Sequence, residues 1–160
     1  MDIKIMFPTG SMVDLGTTMA ADFALADGQL VTDDSLYTAT VISLFTDARA
    51  GRDDELPADE ASRRGWWGDG VPSPGTPEGD AIGSKLWLLH RRKQNEETRL
   101  LAIAYAEAAL AWTVEDGHAT AVHVDAAWRD ASSGFLALDI QYELPAGGRE
   151  RYSFAVPLRQ

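Results

Sequence analysis

From Asn95 to Trp112 the chain contains neither glycine nor proline, and neither appears until Gly117. Asn95 is a good helix N-cap, and Glu96 and Glu97 follow in the first turn, where a helix N-terminus favours negative charge. Leu101, Ala104, Tyr105, Ala108 and Trp112 recur at steps of three and four, and Leu100, Ile103 and Ala111 widen the stripe. This pattern predicts a helix buried over most of its circumference. About 17 residues of helix span about 25 Å, enough to cross a small domain. The rest of the chain must therefore be arranged around this rod.

After the helix, three stretches alternate. Val122, Val124, Ala126 and Trp128 share one face, as do Leu136, Leu138, Ile140 and Tyr142, and then Tyr152, Phe154, Val156 and Leu158. The intervening residues are mainly polar, the signature of antiparallel strands with one buried and one wet face. Ser132-Ser133-Gly134 and Ala146-Gly147-Gly148 supply the turns. The predicted fold class is α+β: a central helix packed on a C-terminal three-stranded antiparallel meander, with a long irregular loop before the helix. With 160 residues, 45% of them hydrophobic, the chain suits one core, so residues 1–160 are expected to form a single domain.

The part before the helix is less regular. Ile3, Ile5 and Phe7 alternate with Asp2, Lys4 and Met6 and suit a short strand ended by Pro8 and Gly10. Asp27-Gly28 is a tight-turn signal between Phe23-Ala24-Leu25 and Leu30-Val31, so a small hairpin is expected there. Asp33 or Asp34 is expected to cap a helix with Tyr37, Val41, Leu44 and Phe45 on one face. The β-branched run Thr40-Val41-Ile42 leaves a strand reading open. The loop, at about 47–84, holds four prolines and seven glycines and fits no regular element. Loops of that length usually bind something or stay disordered until they do, and residues 51–82 are expected to be mobile except near Trp66 and Trp67. These adjacent tryptophans in Gly65-Trp66-Trp67-Gly68-Asp69 each carry roughly 200 Å² of mostly apolar surface that needs a cover. They either staple the loop to the core or anchor a partner. Gly83-Ser84-Lys85-Leu86-Trp87-Leu88-Leu89 is expected to form a short helix or turn beneath the main helix. His90-Arg91-Arg92-Lys93, the concentrated basic patch, reads as a solvated loop or as a contact for an acidic neighbour.

Charge and residue types exclude several functions. The net charge is −11, and residues 1–80, with 15 acids and 5 bases, carry −10 of it. That argues against general nucleic-acid binding, which needs a basic face, and points to a solvated surface or a basic partner. A nucleic-acid mimic would need the acids gathered on one face. No cysteine is present, which rules out disulfides, thiol catalysis and cysteine-ligated metal. Met1 to Phe7 lacks a signal peptide's basic and apolar regions, and no apolar run approaches membrane-spanning length, so a soluble protein made in the cytoplasm is expected.

For chemistry, the candidate cluster is Glu115, Asp116, His118, His123 and Asp125. His123 and Asp125 would project from the same face of a strand, and His118 lies just ahead. A metal-dependent hydrolase using His118, His123 and Asp125 is therefore the enzymatic alternative. The spacing matches no known metal motif. No phosphate-binding glycine loop, Gly-x-Ser-x-Gly elbow or His-Glu-x-x-His helix occurs. Glu96 and Glu97 are splayed by about 100° on a helix and are poorly placed as an acid–base pair.

Arg64-Gly65-Trp66-Trp67-Gly68-Asp69, then Gly83-Ser84-Lys85-Leu86-Trp87-Leu88-Leu89, the Glu97-to-Trp112 helix and Asp116-Gly117 together resemble the gene-product-46 family of Mu-like phages. The segment Ala39-Thr40-Val41-Ile42-Ser43-Leu44-Phe45-Thr46-Asp47-Ala48-Arg49-Ala50 is similar to that family too. The resemblance implies a tail baseplate protein. More distantly, the order of loop, Gly-x-x-Leu turn, helix and terminal strands is similar to the gene-product-25-like wedge or sheath-initiator proteins of contractile tails. Those carry Glu-Pro-Arg after the helix, where this chain has Thr113-Val114-Glu115-Asp116-Gly117. The resemblance implies a structural subunit without catalytic residues, metal or cofactor. It would be present in several copies in the virion tail, in contact with other baseplate proteins and the sheath, and without nucleic-acid or membrane partners. Strand exchange between tail subunits, together with an expected sheet edge at Arg151 to Val156, adds Arg151, Ser153 and Ala155 to the candidate partner contacts Trp66, Trp67, Asp69, Arg91 and Arg92.

Overall fold

The computed structural model describes residues 2–3, 5–6, 22–23, 25–33, 35–58, 60–71, 81–129 and 134–158. Six two-residue strands come first: β1 (Asp2–Ile3), β2 (Ile5–Met6), β3 (Asp22–Phe23), β4 (Leu25–Ala26), β5 (Gln29–Leu30) and β6 (Thr32–Asp33). They pair antiparallel as β1 with β6, β2 with β3 and β4 with β5. The β4–β5 hairpin turns on Asp27 and Gly28, both at positive φ (51° and 77°), as the Asp-Gly signal predicts. Phe7, Pro8 and Gly10 of the expected first strand lie outside the described residues, as does Asp34.

Helix α1 (Tyr37–Phe45) settles the ambiguity at Thr40-Val41-Ile42 in favour of helix. Its cap differs from expectation. Asp33 sits in β6, and Leu36 is the N-cap residue, without a side-chain cap of its own. The orphan N–H groups of the first turn find partners elsewhere: Leu36 N donates to Glu150 Oε2 at 3.1 Å and Tyr37 N to Ser35 Oγ at 3.3 Å. A carboxylate from the last strand thus does the work assigned to a local aspartate.

The central rod is α2 (Glu96–Leu110), capped as predicted by Asn95, whose side chain accepts from Thr98 N at 2.8 Å. It breaks at Ala111 and continues as α3 (Trp112–Glu115), ending before Gly117 at φ 75°. Its buried seam is Thr98, Ala102, Ala106 and Leu110, a strict four-residue repeat. This corrects the predicted stripe: Leu101, Tyr105 and Trp112 are half-buried flanks, while Leu100, Ala104 and Ala108 face solvent. With so many apolar residues on every side of the helix, periodicity alone could not choose among faces a third of a turn apart.

Strands β7 (Ala121–Trp128), β8 (Phe135–Glu143) and β9 (Arg149–Pro157) form an antiparallel meander in the order β7-β8-β9. The register places Val122, Tyr142 and Glu150 in one row, then Val124, Ile140 and Tyr152, then Ala126, Leu138 and Phe154, then Trp128, Leu136 and Val156. The three predicted apolar faces therefore coincide. Two helices cover them. α2 lies along β7, and α1 lies against β9, where Tyr37 meets Tyr152 and Phe154 at 5.4 and 6.0 Å and Phe45 meets Phe154 at 5.4 Å. Between them Thr40 Oγ1 and Tyr142 OH share a buried hydrogen bond of 2.9 Å. One departure from simple alternation is that Ala155 and Pro157, on the outer face, are also buried.

The loop leaves and rejoins this core at one neck. Asp47 and Ser84 form an isolated parallel bridge, with Ala48 N donating to Ser84 O and Ser84 N to Thr46 O, both at 2.9 Å. Gly83, at φ 109°, is required there, since a Cβ would sit 2.4 Å from the Thr46 carbonyl oxygen. The Leu86–Leu89 segment forms a 3-10 turn under α2, as expected. Leu86 and Leu89 join the main core, while Trp87 and Leu88 build a satellite cluster with Ala50. Within the loop a second 3-10 turn, Trp67–Gly70, appears where no regular element was expected.

Two measurements follow. Ala106→Leu overfills the seam and should cost about 1–3 kcal/mol, whereas Ala104→Leu on the wet side should stay within about 0.5 kcal/mol; urea midpoints compare them. Burial pushes the Tyr142 phenol up to about 12, against an ordinary value near 10. Its neutral form is thus favoured by folding: the associated stability is intact below pH 10 and is lost between pH 10 and 12, at about 1.4 kcal/mol per unit. Tyr142→Phe should remove that alkaline loss relative to wild type.

Candidate functional site

The loop reaches its tip through charge pairing. Arg64, at φ 36°, donates through Nη1 to Asp47 at 2.8 Å and through Nη2 to Glu60 at 2.6 Å, with its guanidinium 4.8 Å from the centre of the Trp87 ring. Lys85 pairs with Asp54 at 2.7 Å and Arg92 with Glu55 at 2.9 Å, while Arg63 donates to the carbonyls of Gly51 and Arg52. The Lys85 hydrogen bond, then the Gly51 N–H, hold the Asp54 carboxyl below its usual range, and Arg64 does the same for Glu60. Because both acids are depressed, their contribution is complete above the ordinary carboxylate range and fades as pH falls through the folded values. These pairs connect residues 51–58 and 60–71 to the body through Asp47, Lys85 and Arg92; residues 72–80 lie outside the described set. No local pattern marks Arg64 as a hub, because its partners stand 4 and 17 positions away.

Beyond the clamp the tryptophans come outward. Trp67 is 78% exposed and Trp66 40%, their ring centres 5.3 Å apart. Gly68 allows the fold-back, as a Cβ there would lie within 2.0 Å of the Trp66 ring. Asp69 Oδ1 accepts from Ile82 N at 3.2 Å, which brings exposed Ile82 beside exposed Val71 and the tryptophan turn. Exposed apolar side chains gathered at one turn in this way mark interaction sites. Of the basic patch, Arg92 is committed to Glu55 and lies 4.0 Å from Glu97, while Arg91 is exposed at φ 67°.

The second surface is the outer side of the sheet. His123, Gln141 and Arg151 form one cross-strand row and Asp125, Asp139 and Ser153 the next. They line a half-open hollow of about 540 Å³. Arg151 Nε donates to Gln141 at 2.7 Å, Ser153 to Asp139, and Arg99 lies 3.5 Å from Asp125. His118 is instead set edge-on to Trp112 at 5.6 Å. His118, His123 and Asp125 are thus not brought together, and no group of three or more possible metal ligands occurs among the described residues. A second hollow, of about 210 Å³, lies between the end of α1, Arg64, the Leu86–Leu89 turn and the end of β9.

The two sheet edges differ. On β7, the Ala126 carbonyl accepts from Arg99 Nη1 at 3.1 Å and its N–H donates to Asp125 at 2.8 Å, so that edge is covered at Ala126. On β9, the Leu158 N to Gly134 O bond extends the pairing with β8. Alternate residues 150 to 158 thus turn inward, and Arg149, Arg151, Ser153 and Ala155 direct their backbone groups outward. No described strand pairs with them. Arg149, Arg151 and Ser153 are exposed, whereas Ala155 is fully buried, so the open edge runs from Arg149 to Ser153. Trp66→Ala combined with Trp67→Ala should leave a folded domain, losing far less than the 3–5 kcal/mol typical of a buried tryptophan; a thermal melt reads this directly.

The family described as phage protein GP46 matches residues 36–149, the span from the start of α1 to the start of β9. Baseplate protein gp46 of Escherichia phage Mu is 41% identical over 146 residues, covering 89% of this chain and 95% of that protein. The Mu-like prophage FluMu protein gp46 of Haemophilus influenzae is 39% identical over 146 residues, covering 89% and 96%. No described helix is long and apolar enough to cross a membrane. With matches of that length spanning loop, rod and meander alike, this chain belongs to the gp46 family of Mu-like phages.

Proposed function

We propose that the chain is a structural subunit of a contractile phage or phage-like tail baseplate, made in the host cytoplasm and incorporated into the virion tail. There it joins wedge and sheath components by protein–protein contacts. The baseplate role is supported by the likeness to the Mu relative, a baseplate protein. The observation that carries the mode of joining is the run of outward backbone groups on β9, exposed from Arg149 to Ser153 and paired with no described strand. Unpaired edge N–H and C=O groups accept a further strand, with backbone bonds giving affinity and alternate side chains giving selectivity. A neighbouring tail protein supplies that strand, and the basic Arg149 and Arg151 suit an acidic or polar one.

Ser153→Pro removes an outward donor while leaving the inward bonds of Tyr152 and Phe154 in place. The folded variant should fail to incorporate and should yield few intact tails. Normal tails containing it would sink the strand-addition reading, and absence of the wild-type chain from purified tails would sink the baseplate reading itself.

A further inference from the structure

The outer face of the meander carries its charges in cross-strand rows, and the rows along the open edge are unfinished. Arg149 faces Glu143 and pairs with it at 3.3 Å, so that row closes its own charge. In the next row Arg151 faces Gln141, spends Nε on the amide oxygen at 2.7 Å and meets no carboxylate among the described residues. In the row after that, Asp139 faces Ser153, whose hydroxyl donates to it, and no described cation pairs with it, the diagonal Arg151 included. Asp125, directly opposite Asp139 on β7, adds a second negative charge, but Arg99 lies 3.5 Å from that one. Like charges directly opposite each other repel, so Asp139 has a repulsive neighbour on one side and only a serine between it and the edge. The row beyond, Ala137 with Ala155, holds no charge.

We propose that these two charges choose the strand that β9 receives: it carries an acidic residue opposite Arg151 and, two residues away on the same face, a lysine or arginine opposite Ser153. This rests on the strand-addition reading above and names the kind of partner that edge takes. Arg151 and Ser153 direct their backbone groups outward, so a strand hydrogen-bonded to them places one residue opposite each, with its side chain on the outer face. Directly opposed Cβ atoms stand about 4.5–5.5 Å apart, close enough for an arginine and a carboxylate to pair. With Nε alone engaged among the described residues, the Arg151 guanidinium keeps both Nη groups for that contact. The basic position works over a longer span. Asp139 is two strand spacings from the added chain, about 9.5 Å, which a lysine or arginine stem crosses above the short serine. The half-open hollow lies where these side chains arrive, since Arg151, Ser153, Asp139 and Asp125 line it together. A strand with the same charge at both positions is repelled at one of them, so the edge rejects as well as selects.

The test uses the purified full chain and short fluorescein-labelled strand peptides with Lys-x-Glu at their centre, or with Gln in place of the Lys, the Glu or both. By fluorescence anisotropy Lys-x-Glu should bind tightest, and each replacement should weaken it about threefold, the scale of an exposed ion pair. Asp139→Asn keeps an acceptor for the Ser153 hydroxyl and drops the charge. It should erase the preference for Lys and leave that for Glu, while Arg151→Gln should do the reverse, both with unchanged melts. In about 1 M salt, where screening acts over about 3 Å, both preferences should shrink and the neutral peptide should bind as before. Four peptides that bind equally, or preferences that survive both substitutions, overturn the charge pairing and leave strand addition standing. Peptides that bind Ser153→Pro as well as the wild type, or that bind neither, remove strand addition and the pairing with it.

Discussion

The architecture depends on how closely α2 approaches the sheet. The middle of its seam is alanine, with Ala102 and Ala106 fully buried in one core with Leu138, Ile140, Tyr142 and Phe154. Small residues on the helix against large ones on the strands interdigitate at native density, and the methyl groups let the helix axis come near. That proximity leaves room for α1 alongside, over β9. The cost of burying the Tyr142 phenol is offset by the Thr40 hydroxyl that α1 brings to it. Among the described residues, no buried side-chain nitrogen or oxygen lacks a partner. The core is thus apolar with its few buried hydroxyls satisfied, and the Thr40–Tyr142 link ties α1 to the sheet.

From the same packing comes the asymmetry of the surface. Because α2 lies along β7, its Arg99 can reach over and occupy the Ala126 carbonyl, one of those this edge presents. Helix α1 touches the face of β9 through aromatic rings and its N-terminus through Glu150, and neither contact covers the outward backbone groups near Arg151. On the β7 edge one carbonyl is thus occupied, the β9 edge from Arg149 to Ser153 is left open, and the exposed tryptophans stand on a loop held separately by Arg64.

What the sequence disclosed followed from how local each cause is. The three strands of the meander and their apolar faces were legible, because period-two alternation reports both, and Gly147-Gly148 reports the second hairpin; Ser132 and Ser133 of the first lie outside the described residues. The helix was legible with its Asn95 cap, but its seam was not, since an alanine-rich rod carries apolar residues on every side. The N-terminal cap of α1 was missed because Glu150 stands 114 positions away. The same holds for Arg64, whose role is set by Asp47 and by the Trp87 ring. The tryptophan pair was visible as residues needing a cover, yet only packing could show that the body leaves them exposed. Ala155 was singled out as an edge residue, and its burial comes from neighbours that no strand pattern encodes.

The neck at Asp47 and Ser84 has a consequence for how such chains diverge. Both ends of the excursion are fastened to the core by backbone bonds, and Gly83 permits them to run side by side. Once the ends are fastened, the entropy of closing the intervening chain grows only logarithmically, so doubling its length costs about 0.6 kcal/mol. Residues between the neck strands can therefore be inserted, deleted or exchanged over evolutionary time with little penalty to the core. A lineage can rewrite the presented tip to follow a changing neighbour while the rod, the meander and the neck stay as they are.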